Sequence, residues 1–136
     1  MCGLVGFVNT TKDVSSYKNV LSDMNDSISK RGPDEDGTYI DKHVCLAHKR
    51  LIVIDPNGGK QPMVYKKDNN IYAISYNGQI YNTPELKEEL LADGFTFEGH
   101  SDTEVLLKSY VKWGFDVVNK LNGIFAFAIW DLYKKD

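Results

Sequence analysis

The sequence predicts an α+β domain in which helices pack on largely antiparallel strands. Several short apolar runs, rich in β-branched and aromatic residues, are separated by turn signals. Three stretches instead place apolar residues at three- and four-residue spacing, the period of an amphipathic helix. No linker, repeat or low-complexity tract divides the 136 residues, so residues 1–136 are expected to form one domain with a real core. The bulk properties exclude several classes. A net charge of −3, with no run of Lys and Arg longer than pairs such as Lys66-Lys67 and Lys134-Lys135, disfavours nucleic-acid binding. The apolar start lacks a charged n-region and turns polar at Asn9-Thr10-Thr11-Lys12, which fits neither a signal peptide nor a membrane span. Two cysteines make no disulfide framework, and the cytoplasm is the expected location.

The elements follow in order. Leu4-Val5-Gly6-Phe7-Val8 reads as a buried strand. Val14, Tyr17, Val20, Leu21, Met24 and Ile28 predict a helix over 14–30, ending before Pro33. Arg31 to Gly37 reads as a loop, then Thr38-Tyr39-Ile40 and Val44-Cys45-Leu46-Ala47 as strands joined near Asp41-Lys42. Arg50-Leu51-Ile52-Val53-Ile54 predicts a further strand or extended segment, and Asp55 to Gly59 a turn. Met63-Val64-Tyr65 and Ile71 to Tyr76 flank a polar turn at Lys66–Asn70, a hairpin that ends at Asn77-Gly78. Thr83 as N-cap, Pro84 at the first position and Gly94 as stop bound one helix. Ser101-Asp102-Thr103-Glu104 matches a capping box and opens another helix, which ends near Gly114. A helical turn covers Asp116–Leu121, and Ile124 to Trp130 reads as a strand buried on both faces.

The candidate chemistry begins at Cys2. If Met1 is removed, this residue carries a thiol and a free α-amine together. An α-amine has an ordinary pKa of about 7.7–8.0, so near neutrality a useful fraction is a base able to take the thiol proton. The competing interpretation is a small apolar residue opening a core strand. Arg50 could grip a carboxylate or be a strand-end surface charge. Asn77-Gly78 could be a hairpin turn, or an oxyanion hole formed by the Asn77 amide and the Gly78 N–H, where no Cβ blocks the substrate. Asp102 could serve the helix dipole or bind an ammonium group. His43, Cys45 and His48 have the donor types of a metal set, but strand alternation turns His48 away and no fourth ligand is near, so no metal site is expected.

Met1 to Gly6, Arg31-Gly32-Pro33-Asp34, His48 to Asp55, Gly59-Lys60-Gln61-Pro62-Met63, Tyr76 to Asn82, Ser101 to Glu104 and Leu121 to Phe127 occur in one order. Together they resemble the N-terminal glutaminase domain of the glutamine-hydrolysing asparagine synthetases, which are class II glutamine amidotransferases of the N-terminal nucleophile hydrolase type. The resemblance implies a four-layer αββα sandwich. It implies that Cys2 attacks the side-chain amide of free glutamine, that Arg50 binds the α-carboxylate, and that Asp102 binds the α-ammonium. It further implies that Asn77 and Gly78 form the oxyanion hole, and that Leu51, Ile52, Val53 and Ile54 line the pocket. Gln79 stands where the family usually has Glu near the substrate ammonium, and Lys49 where Arg is usual. The family's domain continues with more strands, then a synthetase domain using ATP and Mg. Residues 1–136 are therefore expected to be incomplete, with no cofactor of their own, and a homodimer is compatible with the resemblance. A sister amidotransferase with another acceptor, or a non-catalytic docking domain, are the alternative readings.

Overall fold

The computed structural model describes residues 1–53 and 56–135. Its elements run β1 (Gly3–Val8), α1 (Lys18–Ser27), β2 (Glu35–Ile40), β3 (Val44–Arg50), β4 (Met63–Lys67), β5 (Asn70–Ile80), α2 (Thr83–Ala92), α3 (Asp102–Trp113) and β6 (Gly123–Asp131). Two short 3-10 segments, Ser29–Arg31 and Gly114–Lys120, follow α1 and α3. One sheet has the order β1-β3-β2 and the other β4-β5-β6, and every pairing is antiparallel. Among the described residues no helix is long and apolar enough to cross a membrane.

Strand alternation builds three apolar layers. On β3, Cys45 and Ala47 face α1 and pack with Val14 and Leu21. Their neighbours Val44 and Leu46 face the other way and meet Ala73 of β5 and Trp130 of β6. On β5, Ile74, Tyr76 and Ile80 point to the far side, against Leu86, Leu90, Leu106 and Leu107 of α2 and α3. The result is helix, sheet, sheet, helix, the predicted four layers. β3 is buried along its whole length because both its faces are covered.

Two buried polar side chains cross between the sheets. Ser75 Oγ of β5 donates to the Ala47 carbonyl at 3.3 Å, and His48 Nε2 of β3 meets the Tyr76 carbonyl at 2.9 Å. A carbonyl only accepts, so Nε2 carries the proton and Nδ1 is bare. Among the described residues Nδ1 has no partner.

Several boundaries depart from the sequence reading. The first helix begins at Lys18, and Tyr17 and Val20 are exposed rather than facing a core. Glu35-Asp36-Gly37, read as loop, is the first half of β2, opposite Arg50, Lys49 and His48. Arg50 ends a strand instead of opening one, and Leu51–Val53 have no regular structure; Ile54 and Asp55 lie outside the described residues. The hairpin turn is tighter than expected, with Asp68 and Asn69 at positive φ. β5 continues through Asn77-Gly78 to Ile80, because β6 pairs with it there. Asn82, not Thr83, is the cap residue of α2, while Ser101 does cap α3 by accepting from Glu104 N–H. β6 is not buried on both faces: Ile124 is 70% exposed.

His48 makes the sheet junction pH-sensitive. Burial holds its pKa below the usual 6.5, helped by the Arg50 charge and opposed by the hydrogen bond to Tyr76. The unfolded chain binds a proton near pH 6.5, whereas the folded chain does so only at lower pH. Stability should therefore be full above about pH 7 and fall as pH drops through the unfolded value toward the depressed native one. His48→Gln keeps a donor for Tyr76 and should flatten that slope in urea midpoints measured between about pH 7.5 and about pH 5. Equal slopes in the two proteins would contradict the assignment.

Candidate active site

Cys2 sits one residue before β1, where the pairing Gly3 to Lys49 brings it beside the end of β3. The Leu51 N–H donates to Cys2 Sγ at 3.3 Å, and the thiol reaches the Leu51 carbonyl at 3.5 Å. The Arg31 Nε–H donates to the Cys2 carbonyl at 3.0 Å. Met1 is 69% exposed at the rim, so its removal would bare the Cys2 amine without uncovering core. The Arg31–Asp34 loop holds this corner together. A Cβ on Gly32 would lie 2.4 Å from the Lys49 carbonyl, so only glycine lets the loop press onto β3. Asp34 then clamps both sides of Leu51: its N–H donates to the Arg50 carbonyl at 3.0 Å, and its Oδ2 accepts from Ile52 N–H at 2.8 Å.

A cleft of about 370 Å³ opens over the sulfur. Its lining brings together Cys2, Arg50, Asn77, Gly78, Gln79 and Asp102, with Leu51 and Val53. Ile52 is instead held by Asp34 beside the cleft, and Ile54 lies outside the described residues. A larger groove, about 880 Å³, runs beside β4 and α3 but contains none of these groups. The chemistry, not the volume, selects the smaller one.

Each polar group is fixed by the fold. Arg50 is 4% exposed, and its Nη1 donates to Glu35 Oε2 at 2.8 Å and to the Pro56 carbonyl at 3.2 Å. A buried guanidinium needs such a partner. Ala73 and Ser75 face the first sheet, so by alternation Asn77 and Gln79 face the same way, toward Cys2. Gly78 has a further reason to be glycine: a Cβ there would lie 2.3 Å from the Ile124 carbonyl of β6. Asp102, the first residue of α3, accepts from the Tyr76 hydroxyl at 2.6 Å and from Ile80 N–H at 3.4 Å, both on Oδ2. Gln61 braces the same corner, accepting from Tyr76 N–H at 2.6 Å and reaching Thr103 Oγ1 at 3.4 Å.

Of the sequence-predicted candidates, the structure thus brings Cys2, Arg50, Leu51, Val53, Asn77, Gly78, Gln79 and Asp102 to one cleft and leaves Ile52 beside it. It adds Arg31, Asp34, Glu35, Gln61 and Tyr76, whose roles were not read from the sequence. Arg31-Gly32-Pro33-Asp34 and Gln61-Pro62 stood out as motifs, but the contacts they make are distant in the chain. His43 and Cys45 do not join His48. Cys45 Sγ turns toward the Val14 carbonyl on the α1 side, and His48 toward Tyr76 on the other. Among the described residues no three His, Cys, Asp or Glu side chains gather as a metal set.

Comparison with known proteins points the same way. Residues 1–136 match the family model described as a glutamine amidotransferase domain. The chain is 50% identical over 131 residues to asparagine synthetase [glutamine-hydrolyzing] 3 of Bacillus subtilis, covering 96% of this chain and 21% of that protein. It is 34% identical to asparagine synthetase B [glutamine-hydrolyzing] of Escherichia coli, covering 98% and 24%. Two solved structures share the fold: an allosteric regulatory enzyme of purine biosynthesis and the glutamine phosphoribosylpyrophosphate amidotransferase of B. subtilis. The first has TM-score 0.55 and 28% identity over 66% of this chain and 22% of that one. The second has TM-score 0.54 and 26% identity over 62% and 20%. The chain spans about a fifth of the first relative's length.

The two thiols should differ sharply in reactivity. Cys45 is fully buried, and burial first, then the Asp41 charge, pushes its thiol pKa up. Cys2 borders the cleft. Iodoacetamide near neutral pH should modify Cys2 in the native protein and reach Cys45 only after denaturation, read by peptide mass spectrometry. Native-state labelling of Cys45 ahead of Cys2 would contradict the site.

Proposed function

Because the chain belongs to the glutamine amidotransferase domain family, we propose that it hydrolyses free glutamine to glutamate and ammonia through Cys2. The observation that carries this reading is the convergence of Cys2, Arg50, Asn77-Gly78 and Asp102, from four separate segments, on one cleft. Arg50 binds the α-carboxylate and Asp102 the α-ammonium, which leaves the side-chain amide over the sulfur. The Cys2 amine, exposed once Met1 is gone, takes the thiol proton, and the thiolate attacks the amide carbon. The carbonyl oxygen becomes an oxyanion, to which the Asn77 amide and the Gly78 N–H donate hydrogen bonds. The amine returns its proton to the departing nitrogen, which leaves as ammonia and forms a thioester. Water, deprotonated by the same amine, attacks that thioester and frees glutamate and the thiol. The ammonia then serves asparagine synthesis by a further domain, a reading supported by relatives named as glutamine-hydrolysing asparagine synthetases. ATP and magnesium belong to that domain's half of the reaction, not to this cleft.

Ammonia release from glutamine, measured on the Met1-trimmed protein in the form its gene encodes, tests this reading. Cys2→Ala should abolish release and Cys45→Ser should retain it. Asn77→Ala should lower kcat about 10²–10³-fold, as for other oxyanion donors. Arg50→Lys and Asp102→Asn should act mainly on KM. Undiminished turnover in folded Asn77→Ala would remove that residue from the mechanism.

A further inference from the structure

Tyr76 has no role in the chemistry above, yet it is anchored at three points. Its ring lies in the apolar layer under α2 and α3, 3% exposed. Its N–H donates to Gln61 Oε1 at 2.6 Å, its carbonyl accepts from His48 at 2.9 Å, and its hydroxyl donates to Asp102 Oδ2 at 2.6 Å. Both backbone groups and the side-chain tip are therefore fixed, by groups from three other segments.

We infer that Tyr76 is a positioning residue: it aims the Asp102 carboxylate at the substrate's α-ammonium and so makes the site select free amino-acid amides over amides without that amine. The inference rests on the glutaminase reading and deepens it.

Four observations support it. Both hydrogen bonds to Asp102 fall on Oδ2, and among the described residues Oδ1 accepts none. Terminal carboxylate torsions are broad, so an unbraced Asp102 would sample many orientations; a short bond from a rigid aromatic donor removes that freedom. Second, Tyr76 braces without neutralising. Burial, then the bond to Asp102, raises its pKa far above neutrality, so it remains a neutral donor. Asp102 has no ion-pair partner among the described residues, unlike Arg50, which is paired with Glu35. Its negative charge is left for a ligand. Third, Asp102 is the one carboxylate among the described residues lining the cleft, where Gln79 is neutral. Recognition of a positive group falls on this residue. Fourth, the other two anchors of Tyr76 reach the elements that carry the charged groups: His48 lies on β3, the strand that ends at Arg50, and Gln61 also bonds Thr103, the neighbour of Asp102 in α3.

The test compares two substrates on the Met1-trimmed, gene-encoded protein: glutamine, and its monoamide analogue lacking the α-amine, 4-carbamoylbutanoate. Tyr76→Phe keeps the ring and deletes the hydroxyl. KM for glutamine should rise about tenfold, the scale of a lost hydrogen bond to a charged group, with kcat changed less than about twofold. The kcat/KM for the monoamide should not change, so selectivity between the two should shrink about tenfold. Equal losses on both substrates, a fall in kcat alone, or no change for glutamine would each overturn the proposal. If Tyr76→Phe does not fold, the Tyr76 hydroxyl proton is read by NMR in Cys2→Ala protein. It should appear as a downfield resonance that shifts with added glutamine and not with the monoamide. No response, or the same response to both, would overturn it. Native protein that binds glutamine in preference to the monoamide but releases no ammonia would sink the glutaminase reading and leave the positioning role standing.

Discussion

The two sheets must be locked in one alignment for any of this chemistry to exist. Cys2 and Arg50 belong to the first sheet's end, while Asn77 and Gly78 belong to β5 of the second. Neither sheet alone holds both Cys2 and the Asn77-Gly78 pair proposed as oxyanion donors. The apolar contacts of Val44, Leu46, Ala73 and Trp130 drive the sheets together, but such contacts are non-directional. The two buried crossings, Ser75 to the Ala47 carbonyl and His48 to the Tyr76 carbonyl, supply direction. Each adds only about 1 kcal/mol when made, yet breaking one strands a buried polar group at greater cost. A slide of one sheet over the other by one residue would strand both and carry Asn77 away from Cys2.

The cleft treats its two charges differently. Arg50 is buried, and Glu35 and the Pro56 carbonyl hold its guanidinium in place. Asp102 is held at the start of α3 by neutral donors. A helix N-terminus favours that carboxylate. The site thus presents a fixed cation and a fixed anion, the pattern that a free amino acid's own two charges complement.

How much of this was legible depended on whether the signal was local. The Ser101 cap, the Pro84 and Gly94 bounds of α2 and the Asp68-Asn69 turn all act within a few residues, and each appears close to where it was read. β3 was cut short because His48-Lys49-Arg50 looks like an exposed charged stretch. It is buried because Asp26, Asp36 and Glu35 pair with its charges and Tyr76 with its imidazole. Asn77-Gly78 has the composition of a turn, but pairing with β6 overrides it. The apolar run of β6 does not say which face is covered, so Ile124 was misplaced. The site residues were legible as motifs in order. Their supports were not, because Asp34, Gln61 and Tyr76 act through contacts between distant segments that leave no local pattern.

If the N-terminal cysteine carries the acyl group of glutamine, the intermediate can be trapped by mixing Met1-trimmed protein with glutamine, quenching in acid within one turnover, and sequencing the adduct by mass spectrometry. A glutamyl thioester is expected on the peptide that begins at Cys2. An adduct on Cys45, or rapid ammonia release from protein whose first residue is still Met1 and whose Cys2 is unmodified, would contradict it.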